Sequence, residues 1–144
     1  MKDLEEYARL AIDCGLDIHR KLGPGLLESV YEAVLEASLR RLEVPVERQR
    51  LIDIEYDGMR LRDGFRADLL VGGSLIIEVK SVERFAPVHG KQLLTYLRLT
   101  RQPLGLLMNF GASTFKEGLK RIVNNHSDVA GSSLRVNRPL VTAP

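Results

Sequence analysis

A pair of glycines, Gly72 and Gly73, separates two apolar runs, and this arrangement constrains the fold more than any other feature of the sequence. Two β-rich segments joined by a short glycine turn predict an antiparallel hairpin. Along its second strand, residues 75–80, side chains alternate between two faces, so Glu78 and Lys80 share one of them. The chain is therefore expected to build a β-sheet around this hairpin.

The length of the hairpin loop decides which side chains oppose each other. If residues 72–74 form a three-residue loop, Asp68 lies directly opposite Glu78. The Cβ atoms of opposed residues are about 4.5–5.5 Å apart, where two ionised carboxylates repel unless a proton or a cation lies between them. A two-residue loop would instead pair Asp68 with Ile77 and turn Glu78 to the other face. The three-residue register therefore predicts a site for a divalent cation.

A second interpretation of the same residues needs no cation. Lys80 could neutralise Glu78 and Asp68 through salt bridges on a solvated face of the sheet. For an isolated pattern this short, the salt bridge is the commoner outcome. The rest of the sequence has to decide between the two interpretations.

Length and composition indicate a single globular domain. The chain has 144 residues, of which 44% are hydrophobic and 28% charged, and we expect one domain over residues 1–123 with a loose polar tail over residues 124–144. No apolar run approaches the roughly 20 residues that span a bilayer, and the acidic N-terminus is unlike a signal peptide, so a cytoplasmic protein is expected. Cys14 is the single cysteine, which excludes an intramolecular disulfide and a thiolate zinc site.

Charge is distributed unevenly along the chain. Residues 1–36 carry four Lys/Arg and eight Asp/Glu, whereas residues 80–121 carry eight Lys/Arg and two Glu. The basic stretch follows the Glu-x-Lys pattern directly. A basic surface beside a carboxylate site suits a polyanionic substrate, although solvated basic faces are common and this signal alone is weak.

The periodicity of apolar residues predicts the order of the secondary structure elements. We expect helices and strands to form a mixed sheet with helices on its faces, an α/β fold. The predicted elements are helix 3–21, a second helix ending near Leu42, strands 46–56, 59–71 (broken near Asp63-Gly64) and 74–81, helix 87–101, strand 104–110 and a possible edge strand 119–123.

Two predicted helices carry polar residues that could face the carboxylates. His89, Gln92 and Tyr96 share one face of the third helix, where Gln92 could orient a phosphate or water, and Tyr96 could donate to a phosphate or stack on a base. Ordinary surface positions are the commoner outcome for Gln92 and Tyr96, and solvation is the commoner outcome for His89. Glu28 lies in the first turn of the second helix, where the helix dipole stabilises a carboxylate, but it could also be a third acidic ligand.

One segment resembles a known family. Residues 23–31 (GPGLLESVY) are similar to the signature of the GxxExxY proteins, a small bacterial and archaeal group within the PD-(D/E)XK nuclease superfamily. The proline that precedes the aspartate in the superfamily name is Ala67 here. Further blocks resemble that group in the expected order, at residues 66–71, 77–81, 92–97 and 106–111.

The resemblance implies a restriction-endonuclease-like core of order αβββαβ with an extra N-terminal helix. It also implies a Mg²⁺ or Mn²⁺ ion held by Asp68, Glu78 and the backbone carbonyl of Val79, with Glu28 as a further acidic member of the site. Oxygen ligands with open water positions suit these cations.

The activity implied is that of a metal-dependent nuclease, with DNA more probable than RNA as substrate. Lys80 would act on the attacking water or the phosphate, and Gln92 and Tyr96 would hold the substrate. The residues implied to contact the nucleic-acid backbone are Arg66, Lys91 and Arg98. The alternative is a noncatalytic module with the same fold that binds nucleic acid or protein, and a homodimer is possible in either case.

Overall fold

The computed structural model describes residues 2–125, in which helices and strands follow one another much as the sequence predicts. In chain order the elements are α1 (Leu4–Leu22), α2 (Glu28–Arg41), β1 (Val46–Tyr56), β2 (Met59–Val71), β3 (Leu75–Lys80), α3 (Pro87–Thr100), β4 (Leu104–Asn109), α4 (Phe115–Gly118) and β5 (Leu119–Val123).

The five strands form one mixed sheet in the order β1-β2-β3-β4-β5. Neighbouring strands are antiparallel except β3 and β4, which are parallel and are joined by α3 as a crossover helix. The order from α2 to β4 is αβββαβ, with α1 as an extra N-terminal helix. The predicted α/β fold with a restriction-endonuclease-like core is confirmed. The short helix α4 was not predicted.

The hairpin between β2 and β3 has the register of a three-residue loop. Gly72 and Gly73 adopt positive φ angles of 62° and 74°, and a side chain at Gly72 would collide with the ring of Tyr7. Glycine is therefore required at Gly72 for both reasons. The pairs that fix the register are Val71 with Leu75, Leu70 with Ile76 and Leu69 with Ile77.

Helices cover both faces of the sheet, which determines how deeply the hairpin is buried. One apolar layer packs α1 and α2 against the sheet through residues such as Ala8 and Leu35. A second layer packs α3 against the other face through Leu93 and Leu97. Because β3 lies between the two layers, its residues Leu75–Val79 are all buried, and the burial of a carboxylate within that strand follows directly.

The irregularity predicted near Asp63-Gly64 is present as a bulge, although β2 continues through it. The register between β1 and β2 shifts between Ile52 and Ile54, and Asp63 adopts a φ of 52°. The Asp53 carboxylate accepts a hydrogen bond from the Asp63 amide at 3.0 Å and pairs with Arg60 at 3.0 Å. These contacts replace the ladder bonds that the bulge interrupts.

The described chain ends just after β5. Asn124, the first residue of the predicted tail, is buried and its amide donates to the Pro103 carbonyl at 2.9 Å. The remainder of the predicted tail, residues 126–144, lies outside the described residues. Within residues 2–125, no helix combines the length and the apolar character needed to cross a membrane.

Candidate active site

The central feature of the site is a carboxylate buried in the middle of the sheet. Glu78 is 9% exposed, and its Oε1 atom has no hydrogen-bond partner. Burial, and then the neighbouring charge of Asp68, raise the pKa of Glu78 from 4.5 to about 9, while Lys80 opposes this only weakly. Without a cation, the Glu78 carboxyl therefore keeps a proton at neutral pH, which is one of the two ways to relieve repulsion within an acidic pair.

Asp68 is held in place at both of its carboxylate oxygens. Oδ2 accepts a hydrogen bond from the backbone amide of Val79 at 2.8 Å. Oδ1 lies 3.4 Å from the Nε2 atom of Gln49, a longer and weaker contact. The hairpin thus brings Asp68 and Glu78 together, as the three-residue register requires.

A second buried carboxylate, Glu32, belongs to this cluster and was missed from the sequence. Its Oε1 accepts from Gln49 Nε2 at 2.9 Å and lies 3.7 Å from Arg48 Nε. Burial raises the pKa of Glu32, and the charges of Asp68 and Glu28 add to the effect. One signal was available: Glu28 and Glu32 are four residues apart and therefore share a face of α2. Nothing in the local sequence pointed to Gln49.

On the polar face of α3, Tyr96 is close enough to the carboxylates to be influenced by their charge. Gln92 Nε2 donates to the hydroxyl oxygen of Tyr96 at 2.8 Å. The Tyr96 ring stacks on Phe65, with centroids 4.0 Å apart and planes 7° from parallel. Burial raises the pKa of Tyr96, and the nearby charges of Glu78 and Asp68 raise it further. Tyr96 is therefore a protonated donor at neutral pH beside both carboxylates.

His89 has a different environment from its neighbours on α3. Its Nδ1 atom accepts a hydrogen bond from the Ala86 amide at 3.3 Å, at the start of the helix, and its ring meets Phe85 edge-on. It therefore contributes to the helix N-terminus, and it does not join Gln92 and Tyr96.

The loop that precedes α2 is stabilised by hydrogen bonds to a tyrosine of that helix. Tyr31 donates to the Gly23 carbonyl at 2.6 Å and accepts from the Leu26 amide at 3.2 Å. Ser81, just after β3, donates to the Leu26 carbonyl at 2.6 Å. The tyrosine of the Gly-x-x-Glu-x-x-Tyr pattern thus fixes the start of α2, and with it the position of Glu28.

The segment after β3 is held by hydrogen bonds to the residue at the end of β4. The buried side chain of Asn109 accepts from the amides of Val82 and Gly111, both at 3.0 Å, and donates to the Val82 carbonyl at 2.8 Å. A Cβ on Gly111 would lie 2.4 Å from that carbonyl oxygen. These contacts fix the direction in which the chain leaves Lys80.

The basic residues predicted to contact nucleic acid are accessible to solvent. Arg66 on β2 and both Lys91 and Arg98 on α3 are exposed, whereas Lys80 is half-buried beside Glu78. Lys91 and Arg98 are seven residues apart and share a face of the helix. Their placement next to the Gln92 and Tyr96 face is compatible with a contact to nucleic acid, which stays a prediction.

A cation at this site would depend on few protein ligands. Within residues 2–125, no three His, Cys, Asp or Glu side chains are arranged to hold a metal ion by themselves. Glu28, half-buried at the start of α2, influences Glu32 but does not complete a three-carboxylate group with Asp68 and Glu78. The unpartnered Glu78 Oε1 beside a fixed Asp68 fits a hard cation that keeps several of its waters. The roles of Glu28 and of the Val79 carbonyl as ligands stay predictions.

Comparison with known proteins identifies the family of the chain. A family model described as the PD-(D/E)XK nuclease superfamily matches residues 5–122, which includes every residue of the site described above. No curated protein and no solved structure matches the chain significantly.

Proposed function

The chain belongs to the PD-(D/E)XK nuclease superfamily, and we propose that it is a Mg²⁺- or Mn²⁺-dependent nuclease of the GxxExxY group that hydrolyses phosphodiester bonds, with DNA as the expected substrate. One observation carries the proposal. Glu78 is buried beside Asp68 with an oxygen that has no hydrogen-bond partner, an arrangement that is costly unless a cation or a proton is bound there.

The residues present fit the cation that the superfamily implies. Asp68, Glu78 and the carbonyl of Val79 would hold it, with Glu28 as the further acidic member that the family resemblance implies. When bound, the cation supplies polarisation of the scissile phosphate and lowers the pKa of a coordinated water. Glu78 would release its proton to hold the cation.

Tyr96 and Gln92 would bind the phosphate that is cleaved. The Tyr96 oxygen already accepts from Gln92, so its own proton is available for a non-bridging phosphate oxygen. The raised pKa of Tyr96 keeps that proton in place at neutral pH. Stacking on Phe65 fixes the direction in which the hydroxyl points.

Lys80 would stabilise the negative charge that develops on the phosphate. It follows Glu78 by two residues on β3 and lies close enough to influence the charge of that carboxylate. An ammonium beside the reacting phosphate lowers the barrier most when it is already oriented before the reaction. Arg66, Lys91 and Arg98 would contact the backbone, which gives binding without sequence specificity.

A cleavage assay tests the proposal as a whole. Labelled single-stranded DNA, duplex DNA and RNA are each incubated with the protein and Mg²⁺ or Mn²⁺, and with EDTA in place of the cation. We expect products only with a cation, and more from DNA than from RNA. Binding of all three without products under either cation would contradict the nuclease and support a noncatalytic binding module.

The role of Lys80 gives a separate prediction. Lys80→Met is expected to lower kcat by about 100- to 1,000-fold, the usual effect of removing one preorganised electrostatic group from an active site. Cation affinity should be kept or slightly increased, because a positive charge next to Glu78 is removed. Single-turnover cleavage and Mn²⁺ calorimetry measure the two quantities.

Lys2→Met is the matched control for Lys80→Met. Lys2 lies near the start of β4, because its neighbour Asp3 lines a groove with Leu104. Lys80 pairs with Asn109 at the other end of that strand, so the two lysines are far apart. The control should cleave like the wild type. Wild-type kcat in Lys80→Met would show that the lysine has no part in the reaction.

A further inference from the structure

Gln49 has a left-handed backbone conformation at an interruption of the ladder between β1 and β2. It lies inside β1 and adopts a φ of 52°, which is unfavourable for a residue with a Cβ. The other non-glycine residues with positive φ among residues 2–125 lie where the chain turns or its register shifts: Glu43 and Arg101 at helix ends, Asp57 in a hairpin turn and Asp63 at the bulge.

The ladder between β1 and β2 is interrupted at Gln49 and at the residue opposite it. On one side Arg48 pairs with Leu69, and on the other Arg50 pairs with Ala67, so the register of β1 against β2 is the same before and after it. Ala67 and Leu69 would share a face of a regular strand, but they pack in opposite apolar layers. The left-handed conformation therefore lies at a local irregularity that conserves the register and changes which face of the strands is buried. Such outliers persist where surrounding contacts enforce them, and they concentrate at functional sites.

The side-chain amide of Gln49 lies between two carboxylates. Its Nε2 atom donates to Glu32 Oε1 at 2.9 Å and lies 3.4 Å from Asp68 Oδ1. Glu32 is buried and is approached by Arg48 at 3.7 Å. Since the Val79 amide binds the other oxygen of Asp68 at 2.8 Å, the carboxylate of Asp68 is restrained at both ends by groups from β1 and β3.

We infer that Gln49 is a positioning residue, which together with Glu32 orients the Asp68 carboxylate for the cation; the inference rests on the proposed function. The left-handed backbone directs the side-chain amide of Gln49 toward the two carboxylates. Its hydrogen bond to Glu32 fixes the amide, and the amide in turn limits rotation of the Asp68 carboxylate. Gln49 itself touches neither cation nor substrate. Its contribution is to cation affinity, because a preorganised ligand loses less rotational freedom on binding.

Gln49→Met tests the inference at constant charge. Methionine keeps the length of the side chain and the backbone strain but cannot donate to either carboxylate. We expect Mn²⁺ to bind about tenfold more weakly in calorimetry without nucleic acid, the lower end of the usual effect for groups that orient metal ligands. Cleavage should fall at low Mn²⁺ and recover most of its rate at saturating Mn²⁺.

Gln49→Gly separates positioning from structural support. Glycine adopts a positive φ without strain, so the thermal midpoint of unfolding of this variant should equal or exceed that of Gln49→Met. Its affinity for Mn²⁺ should nevertheless be reduced to a similar extent. If Gln49 only supported the fold, cation affinity would follow stability, and a glycine variant with wild-type affinity would overturn the inference.

Asp57→Gly is the matched control. It removes the same kind of backbone strain at the hairpin turn, about 25 Å along the strand from Gln49 at 3.3 Å per residue, and should leave Mn²⁺ affinity unchanged. Wild-type affinity in both Gln49 variants would contradict the positioning role while leaving the nuclease proposal intact. Absence of Mn²⁺ binding by the wild type would instead contradict the proposed function, and the inference with it.

Discussion

Glu78→Gln is expected to abolish cleavage and, in the absence of a cation, to make the protein more stable. Glutamine has the same shape as the protonated carboxyl but no charge to offer a cation. We expect turnover to fall by at least about 1,000-fold, equivalent to about 4 kcal/mol of transition-state stabilisation. Cleavage under single-turnover conditions with Mg²⁺ measures this loss.

The gain in stability follows from the environment of Glu78. Its side chain is buried, one oxygen has no hydrogen-bond partner, and burial and Asp68 disfavour its ionised form. At neutral pH in EDTA the wild type has to take up a proton at Glu78 when it folds, and glutamine avoids this cost. The substitution should therefore raise the free energy of unfolding by about 1–3 kcal/mol. Chemical denaturation at neutral pH in EDTA measures the difference.

Glu55→Gln is the control for both effects. Glu55 is exposed on β1, opposite Arg60, and its substitution should change neither cleavage nor stability appreciably. A Glu78→Gln protein that is less stable than the wild type in EDTA would contradict the account of this carboxylate. Retained turnover would contradict its catalytic assignment.

The cation-free wild type is expected to lose stability as the pH rises from about 5 to 9. The folded-state pKa of Glu78 is about 9 against an ordinary value of 4.5, so the folded protein binds more protons than the unfolded chain across this interval. The stability from this group is therefore greatest near and below pH 4.5 and falls as the pH rises, until Glu78 also ionises in the folded state near pH 9. Glu32, whose pKa is also raised, acts in the same direction.

Thermal unfolding at a series of pH values in EDTA measures this dependence. We expect the midpoint to fall by about 5–10 °C, as a change of about 2 kcal/mol produces in a domain of this size. Saturating Mg²⁺ or Mn²⁺ should remove most of the fall, because the cation replaces the proton and binds the folded state. The pKa of Asp53 is lowered, mainly by the Asp63 amide, so the titration of Asp53 changes stability only at more acidic pH.

Two results would contradict this explanation. One is a midpoint in EDTA that rises between pH 5 and 9. The other is a Glu78→Gln variant with the same fall as the wild type, since that variant lacks the titrating group and should have a flatter profile.

Local signals were sufficient to predict the hairpin and most of the elements. The glycine pair at residues 72–73 and the alternation along β3 predicted the hairpin but left two registers open, and the structure has the three-residue one. Prolines and glycines at the helix ends located the bounds of α1 and α3 within one residue. In each case the determinants lie within a few residues of the feature they control.

Contacts between distant segments could not be predicted in the same way. Glu32, Gln49 and Asp68 come together from a helix and two strands, and no periodicity relates their positions in the sequence. The left-handed backbone of Gln49 lies at an interruption of the β1–β2 ladder, which the preference of its residue type does not predict. The short helix α4, with four residues, is below the length at which periodicity is informative.

The most direct test of the account is calorimetric titration of the wild type and of Asp68→Asn with Mn²⁺ at pH 7.5. Asparagine preserves the size of Asp68 and one acceptor for the Val79 amide but removes the charge. We predict specific Mn²⁺ binding with proton release from Glu78 in the wild type, and binding at least about tenfold weaker in the variant. Absence of Mn²⁺ binding by the wild type, or equal affinity in both proteins, would contradict the claim that Asp68 and Glu78 form a cation site.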